Sequence, residues 1–105
     1  MKQFEIHLAN LDPTVGAEIN KTRPVLIVSP NELNGALKTV FVAPITSQHH
    51  GESPFRTPIN LNTKTNYVAL DQMRALDKSR LYKRIVSISK DEAEGIQNTL
   101  IEMFS

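Results

Sequence analysis

Near the start of the chain, Phe4, Ile6 and Leu8 alternate with Glu5, His7 and Ala9, the period-two signature of a half-buried strand. Asp12-Pro13-Thr14 breaks the pattern, and a polar loop is expected from there to Thr22. Pro24-Val25-Leu26-Ile27-Val28-Ser29 is a short, branched apolar run that predicts a buried strand. Its proline comes first, where a missing N–H is tolerated. Pro30-Asn31 and Asn34-Gly35 mark turns around a short connection. Thr39 to Pro44 predicts a further strand ended by proline. The polar stretch from Thr46 to Pro54, with its His49-His50-Gly51, is expected to be a mobile loop. Shorter strands are predicted at Phe55–Leu61, Tyr67–Leu70 and Leu81–Ile88.

The period then changes. Ala93, Ile96, Leu100, Ile101, Met103 and Phe104 recur at helical spacing. Ser89-Lys90-Asp91-Glu92 fits a capping box, and acidic residues in the first turn suit the helix dipole. Gly95 inside this helix costs about 1 kcal/mol relative to alanine. Short strands, polar loops and one closing amphipathic helix predict a mostly β protein, a small β-barrel with an accessory helix. No repeat or low-complexity tract interrupts it, so residues 1–105 read as a single domain.

Composition narrows the class. At 105 residues, with 40% hydrophobic and 22% charged side chains, the chain reads as an ordinary globular domain. A domain this small buries a modest share of its surface, so a partner subunit would help it. No apolar run approaches a membrane span, and Met1 to His7 is not a secretory signal. Without cysteine there is neither a disulfide framework nor a thiolate metal site, which fits a cytoplasmic protein. Net charge is only +1, but Lys78 to Arg84 holds four basic residues in seven and no acidic one. Such a patch can neutralise phosphates, although basic runs are more often merely solvated.

Three polar clusters could carry chemistry. Glu18 and Arg23 sit five positions apart in a loop that runs into a strand. By spacing alone they read as a surface ion pair, worth about 0–1 kcal/mol. Thr46 and Ser47 follow a strand, where hydroxyls either close a turn or donate to a phosphate. Asp71, beside Gln72 and Arg74, is either a strand-end cap or a general base. His7 either faces solvent or packs structurally. The His49-His50 doublet has no carboxylate at ligand spacing, so no metal site is expected.

Several of these segments, in order, resemble the MazF/PemK toxin family. The first block is Leu11-Asp12-Pro13-Thr14-Val15-Gly16-Ala17-Glu18, followed by Lys21-Thr22-Arg23-Pro24-Val25-Leu26-Ile27-Val28-Ser29-Pro30. Asn34, then Ala43-Pro44-Ile45-Thr46-Ser47, then Leu70 through Leu81 continue it. The resemblance implies an SH3-like barrel with a C-terminal helix, assembled as a homodimer. It also implies a metal-independent endoribonuclease, without cofactor, that cuts single-stranded RNA to a 2′,3′-cyclic phosphate and a 5′-hydroxyl. A cognate antitoxin is implied as partner, with operator DNA met only through it, and no membrane.

The resemblance assigns roles to the clusters. Arg23 would stabilise the phosphorane, since a guanidinium grips phosphate bidentately and is a poor base. Thr46 would hydrogen-bond the scissile phosphate with help from Ser47. Glu18 would orient Arg23 or accept the 2′-OH proton, and Asp71 matches the general base of the PemK/Kid branch. Gln72, Arg74, Arg80 and Arg84 are the expected RNA-binding residues. Position 17 is alanine where the Kid branch carries histidine, and position 69 is alanine where it carries arginine. That mechanism therefore does not transfer whole, and weight falls on Arg23 and Thr46. Ile19 and His7 also depart from the family pattern, at positions that bear on base contacts.

Two rivals share the fold. One is a gyrase poison of the CcdB type, whose family ends in Trp-Gly-Ile. This chain ends Met103-Phe104-Ser105 and has no tryptophan. The other is a catalytically silent RNA- or antitoxin-binding module, because a fold does not dictate a function.

Overall fold

The computed structural model describes residues 1–11, 22–48 and 54–105. Seven strands form one curled, antiparallel half-barrel sheet: β1 (Glu5–Asn10), β2 (Thr22–Ile27), β3 (Thr39–Thr46), β4 (Arg56–Leu61), β5 (Lys64–Ala69), β6 (Arg74–Asp77) and β7 (Leu81–Ser87). The spatial order is β4-β5-β3-β2-β1-β7, with β6 also paired to β3. Helix α1 (Asn31–Ala36) links β2 to β3, and helix α2 (Lys90–Met103) closes the chain.

Strand β3 changes partner halfway. Thr39 to Val42 pair with β6, and Ile45 and Thr46 pair with β5. The change falls at Ala43 and Pro44, and Pro44 has no N–H to give to a ladder. A 3-10 turn, Leu70–Gln72, bridges β5 to β6 across this gap and packs on β3.

The sheet is covered on both faces, which is why β2 reads as an unbroken apolar run. Leu26, Val28, Ala43 and Ile45 join Ile6, Ile59, Val68, Leu70 and Ile96 of α2 in one buried cluster. Val25, Ile27, Val40 and Val42 turn the other way and meet Ala9 and Leu76. Burying each such aliphatic side chain contributes about 1.5–3 kcal/mol.

Helix α2 starts where its capping box predicts. Ser89 Oγ accepts from the Glu92 N–H at 3.1 Å, and Glu92 Oε1 accepts from the Ser89 N–H at 3.0 Å. The other Glu92 oxygen accepts from Asn60 N on β4 at 2.6 Å. Thr57 Oγ1 donates to Thr99 Oγ1 at 3.1 Å, so the β4 strand is tied to the helix twice. Strands β4 and β5 form a two-residue hairpin at Asn62-Thr63, whose φ angles of 53° and 63° fit a turn with both central residues left-handed.

Several sequence expectations need correction. The connection after Ser29 contains a helical turn, α1, stabilised from inside. Asn34 is buried, its Nδ2 donates to the Ser29 carbonyl at 2.9 Å, and Lys78 Nζ donates to the Asn34 carbonyl. Strand β1 is not half-buried: Glu5, Ile6, His7 and Ala9 are all buried, because β7 carries Arg84 over the polar pair. Thr46 is the last residue of β3 rather than the first of a loop. Arg23 lies inside β2, not ahead of it, and Leu70 belongs to the turn rather than to β5.

Candidate active site

Strand register decides which side chains can meet. Strands β2 and β3 pair as Ile27↔Val42, Leu26↔Ala43 and Val25↔Pro44. Arg23 is two residues beyond Val25, and Thr46 is two beyond Pro44, so the register carries them toward each other. Alternation puts Arg23 on the face of Val25 and Ile27, and Thr46 on the face of Val42. Both therefore rise from the sheet face opposite α2, at the rim of the second apolar cluster. Arg23 is exposed and pairs across β1 with Ala9, which offers it only a methyl neighbour.

The Thr46 hydroxyl is oriented locally. Its Oγ1 accepts from the Gln48 N–H at 3.2 Å, which leaves the hydroxyl hydrogen for another acceptor. Ser47 beside it is exposed. Tyr67 on β5 pairs directly with Thr46 and shares its face, a neighbour that the sequence analysis did not single out.

The basic candidates fall around the same region but with structural duties. Arg74 pairs with Val42 and so lies on the same face, and its Nη1 donates to the Leu11 carbonyl at 3.1 Å. Arg80 Nη1 donates to the Asn10 carbonyl at 3.4 Å. Two arginines thus grip the end of β1. Arg84, opposite His7, donates to Glu5 Oε2 at 2.7 Å and to Ser87 Oγ at 3.1 Å. A guanidinium has five donors, of which these contacts use one on Arg74 and two on Arg84.

Glu5 and His7 form the buried side of this group. His7 Nε2 lies 3.0 Å from Glu5 Oε1, which also accepts the Lys2 N–H at 2.9 Å. Burial alone would raise the Glu5 pKa. The His7 and Lys2 hydrogen bonds and the Arg84 guanidinium outweigh it, holding the carboxyl down at about 2. His7 is accordingly a packing histidine, one of the two alternatives that its position left open.

Asp71 stands in the 3-10 turn and faces Arg56, whose Nε and Nη2 approach its two carboxylate oxygens at 3.3 and 3.4 Å. Arg56 pairs across the hairpin with Ala69. The alanine noted above as a departure from the Kid branch therefore has an arginine as its cross-strand partner. Arg56 escaped the sequence analysis, although the hairpin register centred on Asn62-Thr63 would have put it opposite Ala69. Gln72 is exposed on the same turn as Asp71. Glu18, Ala17 and Ile19 lie outside the described residues, as do His49 and His50.

Comparison with known proteins identifies the family. Residues 2–104 match the family described as the PemK-like, MazF-like toxin of type II toxin-antitoxin system. A curated relative from Staphylococcus saprophyticus, named Endoribonuclease MazF, is 30% identical over 95% of this chain and 88% of its own. The crystal structure of MazF from Deinococcus radiodurans superposes with a TM-score of 0.79 at 24% identity, covering 99% of this chain and 96% of that one. A mycobacterial endoribonuclease in complex with its cognate antitoxin also superposes with a TM-score of 0.79, at 19% identity, covering 99% and 92%. The chain belongs to the PemK-like, MazF-like toxin family of type II toxin–antitoxin systems.

Proposed function

We propose that Arg23 and Thr46 form the phosphate-handling core of a metal-independent endoribonuclease acting on single-stranded RNA. The activity class, an endoribonuclease toxin, follows from family membership. The site assignment rests on one observation: the β2–β3 register carries Arg23 and Thr46 toward each other on a single face.

The reaction needs three services. The 2′-oxygen loses its proton and bonds to phosphorus, the P–O5′ bond breaks, and the departing oxygen takes up a proton. Charge accumulates on the phosphorane oxygens meanwhile. Arg23 meets that charge with parallel N–H donors, and Thr46, oriented by Gln48, adds a hydroxyl with Ser47 beside it. Glu18 orients Arg23 or receives the 2′-proton, and Asp71 is the second candidate acceptor. The products are a 2′,3′-cyclic phosphate and a 5′-hydroxyl. Arg74, Arg80, Arg84 and Gln72 supply contacts along the RNA backbone. The working unit is a homodimer in the cytoplasm, neutralised by a cognate antitoxin.

Incubating the purified protein with a long, defined RNA, with and without EDTA, and then mapping the cut ends tests this reading. Cyclic-phosphate ends that survive EDTA are expected. Cleavage abolished by EDTA would overturn the metal-free mechanism. Intact RNA together with arrested gyrase supercoiling would overturn the ribonuclease reading.

A further inference from the structure

The hairpin brings Arg56 level with Ala69, a buried residue that presents only a methyl group. Past that methyl, two residues along, is Asp71. The Arg56 side chain is 10% exposed and the Asp71 side chain 34%. Two N–H groups of one guanidinium face two oxygens of one carboxylate, a fork-on-fork pairing that restricts rotation more than a single contact does. The backbone supports the same turn: Leu70 N donates to the Phe55 carbonyl at 3.2 Å, and Met73 N to the Leu70 carbonyl at 3.2 Å.

Exposed ion pairs contribute little and mostly wander. This one differs because its arginine side chain is largely covered. So placed, Arg56 has little surface to offer an RNA phosphate, whereas Asp71 keeps an open side. Arg56 also shares its sheet face with the proposed core. Tyr67 pairs with Thr46, and Ala69, two residues on, points the same way and pairs with Arg56.

We propose that Arg56 is a positioning residue for the ribonuclease reaction: it holds Asp71, and the 3-10 turn bearing Gln72, in place where that turn packs on β3, the strand that ends in Thr46. This rests on the function proposed above. A carboxylate gripped by a fork presents its remaining lone pairs in one direction, which favours a fixed acceptor for a substrate hydroxyl. Arg56 itself touches no reacting atom.

The test is steady-state cleavage of a single-stranded RNA by the full-length protein and its variants. Arg56→Ala should lower kcat by about 10- to 100-fold, the usual penalty for a misplaced catalytic group. KM should stay within about twofold, because no ground-state contact is lost. Arg56→Met, which keeps the apolar stem, should lose as much kcat while melting close to wild type. Arg56→Lys should recover part of the rate. In an Asp71→Asn background, Arg56→Ala should cause no further loss.

Wild-type kcat in Arg56→Ala would overturn the proposal. So would a rise in KM at unchanged kcat, an equal loss in the Asp71→Asn background, or an Asp71→Asn variant as active as wild type. Failure of the wild-type protein to cut any RNA would instead overturn the function on which the proposal rests.

Discussion

Arg84 reaches from β7 to Glu5 on β1, its Nε donating to Oε2 at 2.7 Å, in a ladder where Arg84 pairs with His7 rather than with Glu5. The register shift between Ile6 and His7 makes this diagonal reach possible. It joins an edge strand of the sheet to a buried carboxylate whose pKa is lowered from 4.5 to about 2.

A lowered carboxylate pKa stabilises the fold only while the group is ionised. The Glu5 contribution is therefore present above about pH 4.5 and is lost as the pH falls toward 2. Denaturant midpoints measured across that window should decline for wild type. In Glu5→Gln the fold should start weaker and the decline should be shallower. An equally steep decline in Glu5→Gln would show that other carboxylates control acid unfolding.

Arg23→Ala should reduce RNA cleavage by about 100- to 1,000-fold, the range seen when one donor to a transition-state oxyanion is removed. The side chain is exposed, so thermal midpoints should hardly move. Lysine at this position should restore little, because a point charge cannot replace a planar fork. Single-turnover rates on a short RNA check all three statements.

Thr46→Ser keeps the hydroxyl and should cleave at close to the wild-type rate, whereas Thr46→Ala should lose about 2- to 12-fold, in line with one hydrogen bond of roughly 0.5–1.5 kcal/mol. Valine at 46 preserves the shape and should behave like alanine. Activity in Thr46→Val equal to that of Thr46→Ser would remove the hydroxyl from the mechanism.

Asn34→Ala should destabilise the protein by about 1–3 kcal/mol, since it leaves buried partners without their hydrogen bonds. The Ser29 carbonyl would lose its donor, and the contact that orders Ser29 Oγ would go as well. Urea titration measures the loss. Cleavage per folded molecule should be unchanged, because these groups support α1 rather than the proposed site.

Gly95→Ala should raise stability by up to about 1 kcal/mol, the helix-propensity difference between the two residues. A Cβ at this position would stand 3.8 Å from Thr57 Cγ2, an ordinary contact. Thermal melts test it; a fall in midpoint would mean that the helix and β4 are packed more tightly than this spacing implies.

How far the sequence could be read varied with the range of the interactions involved. Helix α2 was legible to the residue because a capping box is local: Ser89 and Glu92 are three positions apart. Strand β2 was legible as apolar, but its extension back to Thr22 was not, since Arg23 joins the ladder through its pairing with Ala9. Helix α1 was hidden because its stability comes from buried Asn34, whose partners include Lys78, distant in sequence. The pairing of Arg23 with Thr46 came from resemblance, and spacing alone favoured a surface ion pair instead. Arg56 was invisible because its meaning depends on a hairpin register. The buried Glu5–His7 pair looked like the wet side of a strand because nothing nearby in sequence announces the arginine that covers it.

The Glu92 side chain, which caps α2 with one oxygen and holds β4 with the other, has a consequence for how the molecule breathes. Among the described residues, the β4–β5 hairpin joins the β3 ladder through two residue pairs, Ile45↔Val68 and Thr46↔Tyr67. Fraying the first turn of the helix breaks the Asn60 contact as well, so helix and hairpin should exchange their amide hydrogens together, which a hydrogen-exchange measurement would show. Thr46 lies on the seam between that unit and the rest of the sheet, and its strand would be the first to register each opening.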